Sequence, residues 1–210
     1  MDPIDAPKTA AITAEFLDEL AQARTAGEAL WRIDRQRLLI APGGIFSIQQ
    51  NVTTANDAAG EIRLRRFYSS EGGSFPVNGT KRKTLTPWTE CLFAHSRVFV
   101  GEGEHVLAQT FDDFEQLRAY KLRSVVNVPM MQGKLCYATF NVFGTLARWQ
   151  PEQVLGIRLL ALACARWVTP TPGLAYRVPG ASPVAPIRDD SDALPSPGLD
   201  AEGRVSERLN

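Results

Sequence analysis

Charge of one sign is what this 210-residue chain most plainly lacks: 23 basic and 23 acidic side chains leave a formal net charge of +0. No global basic field exists to gather nucleic acid or an anionic membrane surface, so neither partner is expected. Histidine is nearly absent, with only His95 and His105, and a metal site built from several histidines is excluded by number. Cysteine is scarce too. Cys91, Cys136 and Cys164 are odd in number, far apart and without a CxxC pair, which argues against a disulfide framework. The most apolar helical stretch, Val154 to Val168, is broken by Arg158 and Arg166 and is too short to cross a bilayer. The opening Met1-Asp2-Pro3-Ile4-Asp5 is acidic and has no apolar core, so it does not read as a signal peptide. These absences together predict a cytoplasmic protein with reduced thiols. Gly101-x-Gly103 lacks a third glycine and a preceding βαβ context, so it does not read as nucleotide-binding. No GxSxG, HExxH or Walker motif is present.

What is there is ordinary globular material, 44% hydrophobic and 22% charged, with a legible order of elements. Residues 1–10 carry two prolines and no periodicity, and read as a loose leader. From Ile12, apolar residues at Phe16, Leu20, Ala23, Leu30 and Ile33 fall near one helical face. This predicts one helix, loosened at Thr25-Ala26-Gly27 and stopped by Pro42-Gly43-Gly44. Residues 45–53 and 61–69 alternate as two strands of a hairpin, with Ile62, Leu64 and Tyr68 assigned to one side. A loop over 70–86 follows, containing Lys81-Arg82-Lys83. Pro87-Trp88-Thr89-Glu90 reads as a helix start. A short strand is expected at 97–100, and Asp112-x-x-Glu115 reads as a capping box before a helix ending at Tyr120. Residues 124–130 and 134–143 form a strand pair joined at Gln132-Gly133. Pro151 opens the last helix, which runs to about Trp167. From Pro170 onward the chain holds seven of its 14 prolines, and 170–210 is expected to be a disordered Pro/Asp-rich tail. Antiparallel strands flanked by helices imply one α+β domain over 11–169.

Several spaced segments carry a resemblance: Arg66 to Ser70 with Phe75-Pro76 and Lys81, then Trp88, Phe111 to Asp113, Ser124 to Pro129, and Thr139-x-Asn141. In this order they resemble the GAF family of small-molecule-binding domains, over roughly residues 12–168. The resemblance implies a central antiparallel sheet, related to that of PAS domains, with terminal helices on one face and a ligand pocket on the other. Two departures stand out. The family usually has a glycine where this chain has Leu122-Arg123, and Gly-Thr-x-Asn where this chain has Ala138-Thr139-Phe140-Asn141. The Asn-Lys-x-Phe-Asp signature of cyclic-nucleotide-binding members is absent. So are the loop cysteine trio of methionine sulfoxide reductases and a bilin-attachment motif.

On this basis the expected ligand-binding residues are Tyr68, Ser70, Lys81, Trp88, Asp113, Asn127, Tyr137 and Asn141. Tyr68 and Ser70 offer hydroxyls where a strand leaves the sheet, or they close a strand-end turn. Lys81 supplies a cation for an anionic group, or is a solvated loop charge. Trp88 stacks on a planar ligand, or anchors its helix. Asp112 and Asp113 read first as helix caps. Asn127, Thr139 and Asn141 are amides and a hydroxyl in central strands and need partners, either a ligand or backbone. Tyr137 is assigned to the same face. His95, after an apolar helical turn, is the candidate axial ligand if haem is bound; His105 lies in a polar run and is expected to be exposed.

The reading that follows is a stand-alone sensory or regulatory domain for a polar or aromatic metabolite. Its likeness to similar proteins implies homodimerisation through the first and last helices. One alternative is a GAF-fold enzyme using the same pocket, with haem or a metal. Another is a ligand-free dimerisation scaffold.

Overall fold

Two threonines set the N-terminal helices. In the computed structural model, which describes residues 12–178, Thr13 Oγ1 accepts from the Phe16 N–H at 3.1 Å and starts α1 (Ala14–Ala21). Thr25 Oγ1 accepts from the Glu28 N–H at 3.2 Å, and the Glu28 carboxylate accepts from the Arg24 N–H at 3.0 Å. The Thr25 cap, with Glu28 also holding the residue before it, starts a second helix, α2 (Ala26–Ile40). The single helix expected from apolar spacing is therefore two. The Thr25–Glu28 segment begins a helix and does not merely loosen one. Arg37 ends α2 from within the core. It pairs with Asp34, and its Nη1 donates to the carbonyls of Ala41 and Gly44, each at 3.0 Å. These bonds satisfy carbonyls left without partners at and beyond the helix end. The chain then passes so close to the sheet at Gly44 that a Cβ there would lie 2.0 Å from the Phe143 oxygen.

Six strands form one antiparallel sheet in the order β3-β2-β1-β6-β5-β4. They are β1 (Ile45–Asn51), β2 (Ile62–Ser69), β3 (Thr80–Lys83), β4 (Phe99–Glu102), β5 (Ser124–Gln132) and β6 (Leu135–Gly144). The sheet with its helices is the expected α+β arrangement. The expected loop over 70–86 is corrected: its basic run Lys81-Arg82-Lys83 is edge strand β3. Charged side chains on an exposed edge discourage further pairing, and this edge position explains why the run is not apolar. Between strands lie α3 (Pro87–Thr89), which continues as a π-helical turn over Glu90–Ala94, then α4 (Glu104–Thr110) and α5 (Phe114–Ala119). Residues 104–110 gave no helix signal in sequence. The last helix, α6 (Pro151–Cys164), is opened by a Gln150–Gln153 capping box and ends in a 3₁₀ turn at Ala165–Trp167. No described helix is long and apolar enough to cross a membrane.

Register assigns each side chain to a face. Phe46, Val142 and Val126 lie side by side, as do Tyr68, Ile48, Phe140 and Val128. Apart from half-buried Tyr68, all are buried, and the Phe46 ring centroid is 4.5 Å from Phe140 and 5.2 Å from Tyr68. Helices α2 and α6 pack together over this layer. The opposite face presents Ile45, Ser47, Gln49, Asn127, Asn141 and Phe143, beneath a cover running from Phe75 to Leu122.

The end of the described chain departs from the composition-based boundary. Leu174, Tyr176 and Val178 are buried. The Ala175 N–H donates to Thr53, and the Gly60 N–H to Arg177. The Tyr176 hydroxyl accepts from the Cys136 N–H at 2.8 Å and donates to the Phe93 carbonyl at 3.3 Å. Residues 171–178 are thus a strap on the core and not a loose tail. Proline content obscured this because three large side chains suffice to hold the segment. The leader 1–10 and the remainder of the tail lie outside the described residues.

Candidate functional site

Trp88 stands at the second residue of α3, and the Pro87 start and Thr86–Thr89 capping box direct it inward. Its indole Nε1–H donates to Asn127 Oδ1 at 2.9 Å. Asn127 Nδ2 donates to Asn141 Oδ1 at 2.7 Å, and Asn141 Nδ2 donates to the carbonyls of Thr139 and Ser47 at 3.1 and 3.3 Å. A buried relay therefore runs from the cover across β5 and β6 to β1. Each of these polar groups meets the partner that burial requires. Thr139, fully buried beside Gln49 in register, is the exception: its hydroxyl has no partner.

Around this relay lies a recess of about 40 Å³. Its apolar wall includes Ile45, Phe75, Phe111, Leu117, Leu122 and Phe143. Phe111 stacks edge-on against both Trp88 and Phe143, at centroid distances of 5.9 and 5.3 Å. Gln49, Arg66, Lys81 and Asp113 stand at the boundary with an outer hollow of about 200 Å³, whose other walls include Ser74, Thr80 and Gln116. Two ion pairs join the cover to edge strand β3. Lys81 Nζ lies 2.5 Å from Asp113 Oδ2, and Lys83 pairs with Asp112. Lys83, by hydrogen bond and charge, holds the Asp112 carboxyl below its ordinary range. Neither aspartate makes the expected cap: Asp113 occupies the N-cap position of α5 but accepts no capping bond there. The lysines of β3 take their carboxylates instead.

Five of the eight expected residues, Lys81, Trp88, Asp113, Asn127 and Asn141, are brought together around the recess. Three are not. Tyr68 is displaced by a bulge: β1 pairs Ile48 with Tyr68 but Gln49 with Arg66, leaving Phe67 as the extra residue. The bulge breaks the two-residue alternation, so Tyr68 turns toward α2, where burial pushes its phenol up to about 12. Ser70 uses its hydroxyl to accept from the Phe46 N–H at 2.9 Å, closing the strand end. Tyr137 is the extra residue of a second bulge, where β5 pairs Met130 with Ala138 but Met131 with Cys136. Its hydroxyl donates to the Ala165 carbonyl at 3.4 Å, beyond the end of α6. His95 is exposed after the π-helical turn and does not line the recess, so it cannot serve as an axial ligand from within this site. His105 is exposed on α4. Among the described residues no group of three or more His, Cys, Asp or Glu could hold a metal ion. Burial raises the Cys136 and Cys164 thiols to about 12, which disfavours the nucleophilic thiolate.

Sequence reasoning missed Gln49 and Arg66 as site residues. Arg66 lines both chambers. Its guanidinium lies 5.3 Å from the centre of the Phe75 ring, its Nε is buried without a partner, and its Nη1 makes a long 3.4 Å hydrogen bond to the Pro76 carbonyl. The available signal was its place in the Arg66–Ser70 segment, but alternation assigned no residue of β2 to a bulge.

No family model matches the sequence, and no curated protein matches it. Solved structures do match. The chromophore-binding domain of a Stigmatella aurantiaca phytochrome superposes with a TM-score of 0.54 at 8% identity, covering 80% of this chain and 63% of that one. The GAF domain of an Acinetobacter phosphoenolpyruvate-protein phosphotransferase gives 0.52 at 12% identity, covering 73% and 87%. Its Coxiella burnetii counterpart also gives 0.52 at 12%, covering 72% and 87%. The fold is that of a GAF domain. The chain spans 57% and 63% of the phytochrome chromophore-binding domains from R. palustris and S. aurantiaca. At these identities the likeness establishes the GAF fold and leaves ligand and activity to the site itself.

Proposed function

We propose that this chain is a small-molecule-binding GAF domain that senses a polar or aromatic metabolite in the space between its sheet and its 75–122 cover. The observation that carries this reading is the pairing of an aromatic-walled recess with polar groups at its mouth, Gln49, Arg66 and Lys81. A cover held for shape alone gains nothing from a buried arginine nitrogen without a partner, since such groups cost stability. Two of the solved structures with this fold are named as chromophore-binding domains, which is in keeping with a small-molecule ligand. Sensing requires a change that a partner can read. The cover is tied to β3 by two exposed or half-exposed ion pairs, which are weak bonds that a ligand can rearrange.

The test is a thermal-shift screen of the purified full chain against a metabolite library, followed by titration calorimetry. A stabilising compound whose binding is lost in Trp88→Ala and retained in Leu146→Ser, an exposed residue outside the recess, supports the reading. A library without a single stabilising compound, together with a native mass spectrum of the bare chain, refutes it.

The same reading includes a homodimer. Trp31, Leu38 and Leu39 on α2 and Leu155, Leu159 and Leu162 on α6 are exposed apolar side chains at helical spacing. Light scattering should give twice the monomer mass, reverting to one on Leu39→Asp with Leu159→Asp; a wild-type monomer at micromolar concentration rejects the dimer.

A further inference from the structure

We infer that the ligand is a monoanionic aromatic carboxylate, its carboxylate on Arg66 and Lys81 and its ring in the outer hollow with one edge at the recess. The inference rests on the proposed ligand-binding role and narrows it to a chemical class.

Arg66 is the decisive residue. Its guanidinium is set at the boundary between the chambers, on the face of the Phe75 ring. Burial pulls its pKa down, and the nearby Asp113 charge offsets part of that. Among the described residues it forms no ion pair within bonding distance. A desolvated guanidinium with an unused nitrogen is a ready two-pronged receptor for a carboxylate. Lys81 stands beside it, already sharing its charge with Asp113. Two cations and one carboxylate leave a single positive charge at the boundary. One incoming negative charge balances it, whereas a dianionic phosphate would leave an excess beside Asp113.

The rest of the ligand follows from the walls. Behind Arg66 the wall holds four aromatic rings, Phe75, Phe111, Phe143 and Trp88, beside the bonded amides of Asn127 and Asn141 and the Asp112-paired Lys83, and the rings favour a flat body. The recess of about 40 Å³ takes no whole ring, so the ring lies in the outer hollow of about 200 Å³; that hollow is below the range of roughly 300–1,000 Å³ typical of drug-sized ligands, so the molecule is small. The Gln49 amide at the boundary can donate to the second carboxylate oxygen.

The experiment uses the full-length chain and the probes benzoate, 4-hydroxybenzoate and indole-3-acetate, each paired with its primary amide, plus inorganic phosphate. Binding is read by calorimetry and by the Trp88 indole N–H signal in a ¹H–¹⁵N spectrum, assigned with Trp88→Phe. The expected result is that at least one carboxylate binds and shifts the Trp88 signal, at least tenfold more tightly than its amide and than phosphate. Arg66→Gln should lose at least tenfold of that affinity with the melting transition retained. Arg66→Lys, which keeps charge but not the fork, should fall between. An amide binding as tightly as its carboxylate overturns the anionic class while leaving the cavity-binding role standing. Phosphate binding without the aromatic probes overturns the aromatic part. If no probe binds but a neutral library compound does, only this inference fails; if neither binds, both readings fail.

Discussion

The two faces of the sheet solve burial in opposite ways. Toward α2 and α6, the strands present Phe46, Ile48, Val126, Phe140 and Val142, and packing alone closes the layer. Toward the 75–122 cover, the same strands present Ser47, Gln49, Asn127, Thr139 and Asn141, and closure takes a hydrogen-bonded relay with two ion pairs. The apolar face gains a stability proportional to the area it buries. The polar face gains little net stability from each bond but loses heavily when one partner is removed. The polar face is the costlier way to close a layer, and it is the face that keeps a recess.

Substitutions on each side put numbers on this contrast. The largest effect is expected on the helix side. Phe140→Ala removes a fully buried ring in contact with Phe46 and should cost about 3–5 kcal/mol in urea unfolding. A cost under about 1 kcal/mol would mean that this layer is not the core of the domain. Next comes the relay. Trp88→Phe keeps a ring but takes the donor from Asn127 Oδ1, and should cost about 1–3 kcal/mol. Trp88→Phe combined with Asn127→Leu should cost less than the sum of the two single variants, because the bond between the two side chains is then lost only once. If the double variant is simply the sum of the singles, the relay is not a coupled unit.

The smallest effect belongs to the outer ion pair. Lys83 is mostly buried, but the Asp112 side chain is 87% exposed, so the pair should contribute about 0–1 kcal/mol and fade in high salt. Its sign with pH is fixed. The folded-state pKa of Asp112 lies below its ordinary value, so its contribution is present above the unfolded value of about 4 and is lost as pH falls through the folded value. Lys83→Met should flatten the acid side of the stability curve by that small amount. An unchanged acid limb would show that the pair does not act in solution.

Most of the fold was readable because periodicity reports the side of an element that faces the core. The hairpin of β1 and β2, the strand pair β5 and β6, and the Pro87 and Pro151 helix starts all appear from spacing and caps. Three things were not readable. Strand β3 is basic because it is an edge, and edges suppress the apolar pattern by which strands are recognised. Helix α4 begins after Gly103 without a side-chain cap, so no start signal exists to be read. The strap at 171–178 is held by side chains from distant strands, which local composition does not report. The site divided along similar lines. Trp88, Asn127 and Asn141 follow the alternation of their elements, while Tyr68 and Tyr137 sit at bulges that invert it.

The bulge at Phe67 has a wider meaning. It lets one eight-residue strand be read in two frames, with Arg66 delivered to the recess side and Tyr68 to the helix layer. A regular ladder that kept Phe67 would put the two frames back in phase and force a guanidinium and a phenol onto the same side. One of the two layers would then carry a residue chosen for the other. Loss of the bulge, with every residue kept, would thus exchange the chemistry at the mouth of the recess in a single step.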